Sequence, residues 1–127
     1  MKMTKIKIKT DCGNSPKREF LKKFNIAFPD GDTDFIIQHI SENIRWEMVG
    51  HKTLTGKDEI LKELDEGKKL AMAEFELSTI ITHGKEGSAS GQFTLENGKT
   101  FAFCDVYKFK GTKSIIEEMQ SFVIETK

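Results

Sequence analysis

The sequence has 127 residues, the size of one domain, and a chain of this length buries enough surface to fold without a disulfide or a structural metal. Its 20 basic and 20 acidic residues balance, and neither half of the chain is strongly basic, which argues against a nucleic-acid partner. No apolar stretch approaches the roughly 20 residues of a membrane span, and the N-terminal MKMTKIKIKT lacks the apolar run of a signal peptide, so we expect a cytoplasmic protein without a membrane partner.

The N-terminal segment, residues 1–14, is rich in lysine and ends in the turn-forming letters DCGN. Two interpretations are open for it: a flexible tail, or a short edge strand in which Ile6 and Ile8 alternate with lysines. The rest of the chain, residues 15–127, contains no repeat and no low-complexity linker, and is predicted to form a single domain.

Two helices are predicted next. The first begins at Ser15, because serine is a favoured cap and Pro16 suits the first helical position, and it ends at Pro29. Its apolar residues have the spacing of a core-facing helix stripe: Phe20, Leu21, Phe24, Ala27 and Phe28. A second, short helix follows a cap at Asp32 or Thr33 and extends to Ile40, after which the letters SEN are expected to break it.

The middle of the chain combines a strand with a third helix. Residues 44–49 alternate as a strand does, with Ile44, Trp46 and Met48 on one side and Arg45 and Glu47 on the other. The letters TGKDEILKELDEG then predict a helix that Thr55 caps and Gly67 ends.

The second half of the chain has the pattern of an antiparallel sheet. Strands are predicted at 70–83, 88–95, 99–110 and 114–125, and Asn97-Gly98 is a strong signal for a tight hairpin turn. Helices grouped in the first half of the chain, followed by consecutive antiparallel strands in the second half, indicate an α+β fold. We expect three helices packed on a strongly curved, mainly antiparallel sheet that forms a cone around a hollow.

One predicted strand carries an aspartate among aromatic residues. The side-chain period of two places Asp105 on the same face as Phe101, Phe103, Tyr107 and Phe109. A carboxyl group on an aromatic face loses hydration, which raises its pKa and suits it to act as acid, base or hydrogen-bond donor near neutral pH. The alternative is a structural aspartate tied to a backbone amide or to Arg45.

Three motifs follow one another along the chain: FPDGDTDFI, ISENIRWEMVGHKTLTGKDEIL and AFCDVYKFKG. Their order and spacing resemble the SnoaL-like group of the nuclear transport factor 2-like superfamily, the cone-shaped α+β fold shared with ketosteroid isomerase. The resemblance covers about residues 15–125. It implies a small apolar molecule in the hollow and a homodimer through the outer face of the sheet. The fold hosts isomerases, cyclases, dehydratases, epoxide hydrolases and non-catalytic binding modules, so it does not determine an activity.

The resemblance also assigns individual residues. Asp105 falls on the position of the ketosteroid isomerase aspartate that donates a hydrogen bond to the developing enolate oxygen. Phe24 falls on the position of its partner tyrosine and has no hydroxyl. The general base falls on Glu47 if the loop that leads to Gly56 has the same length, or on Met48 if the match is anchored at the preceding letters SEN. The alternation of the strand turns Glu47 outward unless a bulge intervenes.

The candidate catalytic residues are therefore Asp105 and Glu47. The candidate ligand-binding residues form a larger set: Trp46, Met48, Phe24, Phe28, Phe103, Tyr107 and His51. No metal or cofactor is predicted, because the three histidines lack the spacing of metal ligands. Two functions remain open: an enzyme that moves a proton on a small apolar ligand with Asp105, and a binding or interaction module that kept the hollow but lost the chemistry.

Overall fold

The computed structural model of the chain describes residues 4–11, 13–67 and 71–126. Three helices precede or interrupt the strands: α1 (Pro16–Asp30), α2 (Thr33–Gln38) and α3 (Lys57–Gly67). The strands are β1 (Lys5–Ile8), β2 (Ile40–Met48), β3 (Lys52–Thr55), β4 (Met72–His83), β5 (Glu86–Leu95), β6 (Thr100–Phe109) and β7 (Ile116–Thr126). They form one sheet in the order β1-β4-β5-β6-β7-β2-β3. The predicted α+β class, with helices on a curled and mainly antiparallel sheet, is confirmed.

Helix α1 begins where the sequence predicts and ends later. The Ser15 hydroxyl accepts a hydrogen bond from the Arg18 amide at 3.2 Å, which satisfies one of the free N–H groups of the first turn. Pro29 lies inside the last turn instead of ending the helix. Gly31 closes it with φ of 71°, and the Gly31 and Asp32 amides donate back to Phe28 and Ala27.

The segment after α2 differs most from the prediction. Ile40 does not belong to the second helix, since it starts β2, and the letters SEN lie within that strand. Strand β2 pairs in parallel with β7, and its register shifts between Ile40 and Arg45. Strand β3 was not predicted, and it includes Thr55, the expected helix cap. Instead, the Glu59 carboxylate accepts a hydrogen bond from the Thr55 amide at 3.0 Å.

Strands β4 to β7 form the predicted antiparallel meander. Residue 70, where β4 was predicted to begin, lies outside the described residues, as does Cys12 in the N-terminal segment. Gly98 adopts φ of 90° in the turn between β5 and β6, a conformation that glycine reaches without strain. The hairpin prediction at Asn97-Gly98 is confirmed.

The N-terminal segment contributes an edge strand. Strand β1 pairs in parallel with β4, and its lysines meet the acidic residues of that strand: Lys7 with Glu74 at 2.9 Å and Lys9 with Glu76 at 3.4 Å. The lysines of both pairs are exposed, so each pair contributes little stability. Ile6 of the same strand packs against the core.

The core lies between α1 and the inner face of the sheet. Phe24 meets the ring of Tyr107 edge-on, with ring centroids 6.0 Å apart, and both side chains are fully buried. Phe109 and Leu21 complete the centre of this layer. Helix α1 therefore seals the middle of β6, which is the strand that carries Asp105.

Candidate functional site

Strand β6 turns its aromatic residues toward the helices, as its alternation predicts. Phe103, Tyr107 and Phe109 are buried on that face, and Asp105 stands between the first two with partial exposure. Cys104 faces the opposite side, where its sulfur lies 3.6 Å from the Ser88 hydroxyl. Asp105 thus occupies the aromatic side of the sheet.

A buried amide and a phenol converge on Asp105 from helix α1. The Tyr107 hydroxyl donates to Asp105 Oδ2 at 3.3 Å. The Asn25 side-chain amide donates to the Tyr107 oxygen at 3.0 Å and to the Leu21 carbonyl at 2.8 Å. Asn25 is 3% exposed and Tyr107 is fully buried, so neither group has water as an alternative partner.

A second arm reaches Asp105 from strands β7 and β2. Ser121 is the cross-strand partner of Asp105 on β7, and its hydroxyl lowers the pKa of the carboxyl group. The indole Nε1–H of Trp46 donates to the Ser121 hydroxyl at 2.8 Å. Asn25, Tyr107 and Asp105 thus form one hydrogen-bonded chain, and Trp46 and Ser121 form a second one beside it; we call these five residues together the polar relay.

The surroundings of Asp105 favour its neutral form. Burial raises the pKa of the Asp105 carboxyl from its ordinary value of 3.8 to about 6, against the opposing effect of the Ser121 and Tyr107 hydroxyls. Burial and the Asp105 charge also raise the pKa of Tyr107 well above its ordinary value, so the phenol stays protonated. Arg45, the alternative partner considered for Asp105, instead lies 3.8 Å from Glu47.

A cavity of about 540 Å³ opens beside the relay, between the three helices and the ends of β2, β4 and β5. Its wall is mainly apolar and includes Ala27, Phe28, Ile36, Trp46, Met48, Leu64, Met72, Phe93 and Leu95. Polar groups lie among the lining as well, chiefly Asp30, Thr33 and Glu63. This volume lies within the range of small-molecule sites in proteins.

The predicted ligand-binding residues divide into two groups. Trp46, Met48 and Phe28 line the cavity as expected. Phe24, Phe103 and Tyr107 do not line it, because they are buried in the core: Phe24 packs against Tyr107, and Phe103 stacks on Phe75. His51 lies exposed in the turn after β2 and is also absent from the lining.

The two predicted catalytic residues both lie off the cavity wall, but in different ways. Glu47 is on the outer side of β2, where it accepts a hydrogen bond from Gln120 at 3.2 Å and faces Arg45. Asp105 is on the inner side and is separated from the cavity by Ser121 and Trp46. The expectation that Asp105 forms part of the wall is therefore corrected: the relay connects it to the wall through the indole of Trp46.

Two members of the relay were missed by the sequence analysis, and both left a signal. Asn25 follows Leu21 by four residues and precedes Phe28 by three, which places a polar residue on the apolar stripe of α1. Ser121 follows Met119 by two residues and shares its buried face of β7. A small polar residue at a core position indicates a buried hydrogen-bond partner, because such groups are rarely left unpaired.

The described residues contain no cluster of three or more histidine, cysteine or acidic side chains that could hold a metal ion. Among the same residues, no helix is long and apolar enough to cross a membrane.

Residues 18–117 match the model of the SnoaL-like domain family. The chain belongs to this family. No curated protein matches the sequence. The family match confirms the predicted SnoaL-like resemblance, and solved structures share the fold. An NTF2-like protein of unknown function from Burkholderia xenovorans LB400 superposes with a TM-score of 0.75 at 16% identity, over 87% of this chain and 84% of that one.

Two further solved structures illustrate the range of the fold. An NTF2-like protein of unknown function from Mesorhizobium loti has a TM-score of 0.73 at 15% identity, over 93% of this chain and 98% of that one. An LEH-like epoxide hydrolase from M. tuberculosis has a TM-score of 0.72 at 16% identity, over 85% of this chain and 82% of that one. At identities this low, the structural similarity supports a shared fold but does not indicate a shared activity.

Proposed function

We propose that this SnoaL-like protein binds a small, mainly apolar molecule in the cavity beside the relay, without a metal or an organic cofactor. The observation that carries the proposal is the open, apolar cavity whose wall includes the rings of Phe28, Trp46 and Phe93. Apolar walls with a few polar groups at defined points are typical of small-molecule sites. The indole Nε1–H of Trp46 is held by Ser121, which fixes the orientation of the largest ring in the wall.

Replacement of Leu64 by Trp is expected to abolish ligand binding. Leu64 lines the cavity from α3, and a bulkier ring there would fill the space that the ligand needs. Native mass spectrometry of the protein purified from cell extract detects any co-purifying molecule and identifies it by mass.

The matched control is Leu61→Trp on the same helix, where the side chain is 41% exposed and does not line the cavity. This variant should retain the ligand. Equal ligand retention by both variants would contradict a site in the cavity, and so would a ligand-free protein that also fails to bind an apolar fluorescent probe.

A second candidate function is catalysis of proton transfer on that ligand by Asp105. The observation that favours it is a carboxyl next to the cavity whose pKa, raised to about 6, allows both protonation states near neutral pH. Because Ser121 and Trp46 separate Asp105 from the cavity, the Trp46 indole would have to move aside for the ligand to reach the carboxyl, which would then take a proton from one ligand atom and return it to another. Turnover of the identified ligand by the Asp105→Asn variant at the wild-type rate would exclude this role.

We further propose a cytoplasmic homodimer, consistent with the free thiol of Cys104. Its interface would be the outer patch of the sheet, formed by Ile81, Ala102, Val106, Phe122 and Ile124. Ile81 is 61% exposed, Phe122 40% and Ile124 69%, which leaves a larger apolar surface than a solvated sheet face needs. Two copies related by a two-fold axis would cover each other's patch.

An Ile124→Glu substitution should convert the dimer to a monomer, because it places a charge within the paired patches. Analytical ultracentrifugation measures the mass directly. Leu61→Glu, on helix α3 and away from the outer patch, should leave the mass unchanged. A wild-type monomer at high micromolar concentration would refute the proposal.

A further inference from the structure

The polar groups of the cavity wall lie toward its mouth. Ala27 and Ile36 of the wall are 4% and 2% exposed, and they form its floor. Asp30 is exposed, and Thr33 and Glu63 are partly exposed, so these three side chains lie where the cavity meets solvent. A bound molecule would therefore place its apolar part against the floor and its polar end at the mouth.

Two hydrogens of the wall that could serve a ligand already have acceptors within the protein. The Trp46 Nε1–H donates to the Ser121 hydroxyl at 2.8 Å. The Thr4 hydroxyl donates to the Met72 carbonyl, also at 2.8 Å. Trp46 and Thr4 both line the cavity, so the indole offers a ligand its ring carbons, and the Thr4 oxygen can only accept.

The other polar side chains of the described wall are mainly acceptors. The ionised carboxylates of Asp30 and Glu63 have no hydrogen to donate. Lys52 Nζ lies 2.6 Å from Glu63 Oε1, but a carboxylate can accept further hydrogen bonds at its two oxygens. Among the described side chains of the wall, the Thr33 hydroxyl is thus the one group that still has a hydrogen for a ligand.

The mouth also favours positive charge. Helix α1 ends there at Asp30, and its last turn contains no basic residue. The negative end of the helix dipole and the Asp30 carboxylate therefore act in the same direction. The rings of Phe28 and Trp46 lie in the same wall with their centroids 6.0 Å apart, and aromatic faces attract cations.

We propose that the cavity selects an apolar molecule whose polar end is a hydrogen-bond donor, a primary amine or an alcohol, held at the mouth by the carboxylates of Asp30 and Glu63. This ligand class rests on the proposed cavity function. A protonated amine satisfies both the acceptors and the charge, and an alcohol satisfies the acceptors alone. A ketone or a carboxylate finds Thr33 as its single side-chain donor in the described wall, and a carboxylate also meets two like charges.

The proposal is tested with compounds that share one apolar body and differ in the polar end. These are naphthylmethylamine, naphthylmethanol, methyl naphthyl ketone and naphthoate, titrated into the full chain by isothermal titration calorimetry. We expect the amine to bind tightest and the alcohol next. The ketone and the carboxylate should bind at least about tenfold more weakly than the amine, which is the effect of one hydrogen bond with a charged partner.

Glu63→Gln tests the carboxylate at the mouth. The substitution keeps the size of the side chain, replaces an acceptor oxygen by an N–H donor and frees the Lys52 ammonium. The affinity for the amine should fall about fivefold or more, and the affinity for naphthoate should rise. Glu66→Gln is the matched control, because Glu66 lies exposed on the same helix and outside this wall, and it should leave all the affinities unchanged.

Asp30→Asn provides a second, independent variant at the end of α1, and it decides the question if far-UV circular dichroism shows that Glu63→Gln does not fold. Its affinities should change in the same direction.

Two results would overturn the ligand class and leave the cavity as a binding site. One is equal binding of the compounds, or tightest binding of naphthoate, by the wild-type protein. The other is a preference for the amine that both Glu63→Gln and Asp30→Asn leave intact. Binding of none of the compounds, or binding that Leu64→Trp does not reduce, would instead remove the cavity function and the ligand class together.

Discussion

Gly91→Ala is expected to destabilise the protein by about 3 kcal/mol or more. The added methyl group would overlap backbone atoms, which cannot move aside as a flexible side chain can. A methyl group at this position of β5 would overlap the backbone carbonyl oxygen of Glu76 and lie 3.1 Å from a ring carbon of Phe103. The register of β4 against β5 shifts between Leu77 and Thr79, next to this contact, so the two backbones meet most closely where the sheet bends. Urea unfolding followed by far-UV circular dichroism measures the loss.

The control for this substitution is Gly67→Ala at the end of α3. A methyl group there meets nothing within 4 Å, so we expect a change within about 0.5 kcal/mol. Similar losses at both glycines would show that the close approach at Gly91 does not constrain the sheet. A loss at Gly91 alone would identify the bulge as the point that sets the curvature around the cavity.

Local signals predicted most of the fold, because the interactions behind them lie within a few residues of one another. The Ser15 cap acts on an amide three residues away. The Asn97-Gly98 turn depends on the positive φ of one glycine. The alternation of β6 placed Asp105 and Tyr107 on one face without any knowledge of the helices.

The extension of β2 was missed because it depends on a distant partner. The letters SEN continue β2 because Ile40 and Arg45 pair with Ile116 and Glu118 of β7, more than seventy residues further along the chain. Strand β3 was missed for another reason: it is only four residues long, too short for a clear alternation, although it pairs with β2 across the short turn at Gly50.

The same distinction explains the candidate site. Alternation predicts the face of the sheet on which a side chain lies. It does not predict at which residue along the strand the cavity begins. Asp105 pairs with Ala89 in the middle of β5, whereas the cavity is lined by Phe93 and Leu95 at the end of that strand. Helix α1 closes the middle of the cone by burying Phe24 against Tyr107.

Asp105→Asn is expected to stabilise the protein by about 2 kcal/mol at about pH 7.5 and to have little effect at about pH 4.5. Burial raises the pKa of Asp105 from 3.8 to about 6, and at about 1.4 kcal/mol per pKa unit the ionised carboxyl costs the native state about 3 kcal/mol. The Asn side chain avoids this cost, but one of its amide hydrogens has no acceptor, and this reduces the net stabilisation by about 1 kcal/mol.

The direction of the pH dependence follows from proton binding. Between about pH 4 and about pH 6 the native state holds a proton on Asp105 that the unfolded state has released, so this group makes the wild-type protein less stable as pH rises through the window. Above pH 6 both states are ionised and the cost is constant. The Asp105→Asn variant has no titratable side chain at position 105. The difference between its unfolding free energy and that of the wild-type protein should therefore grow from about pH 4 to about pH 6 and then stay constant.

Urea unfolding of both proteins at several pH values from about 4.5 to about 8 measures this difference, and Glu47→Gln serves as the matched carboxyl-to-amide control. Glu47 lies on the outer side of β2 beside Arg45 and Gln120, where a carboxylate is solvated and paired. Its replacement should therefore be neutral or slightly destabilising at neutral pH. A stability difference for Asp105→Asn that does not change with pH would mean that the carboxyl is not held in a desolvated site, and proton transfer by Asp105 would lose its physical basis.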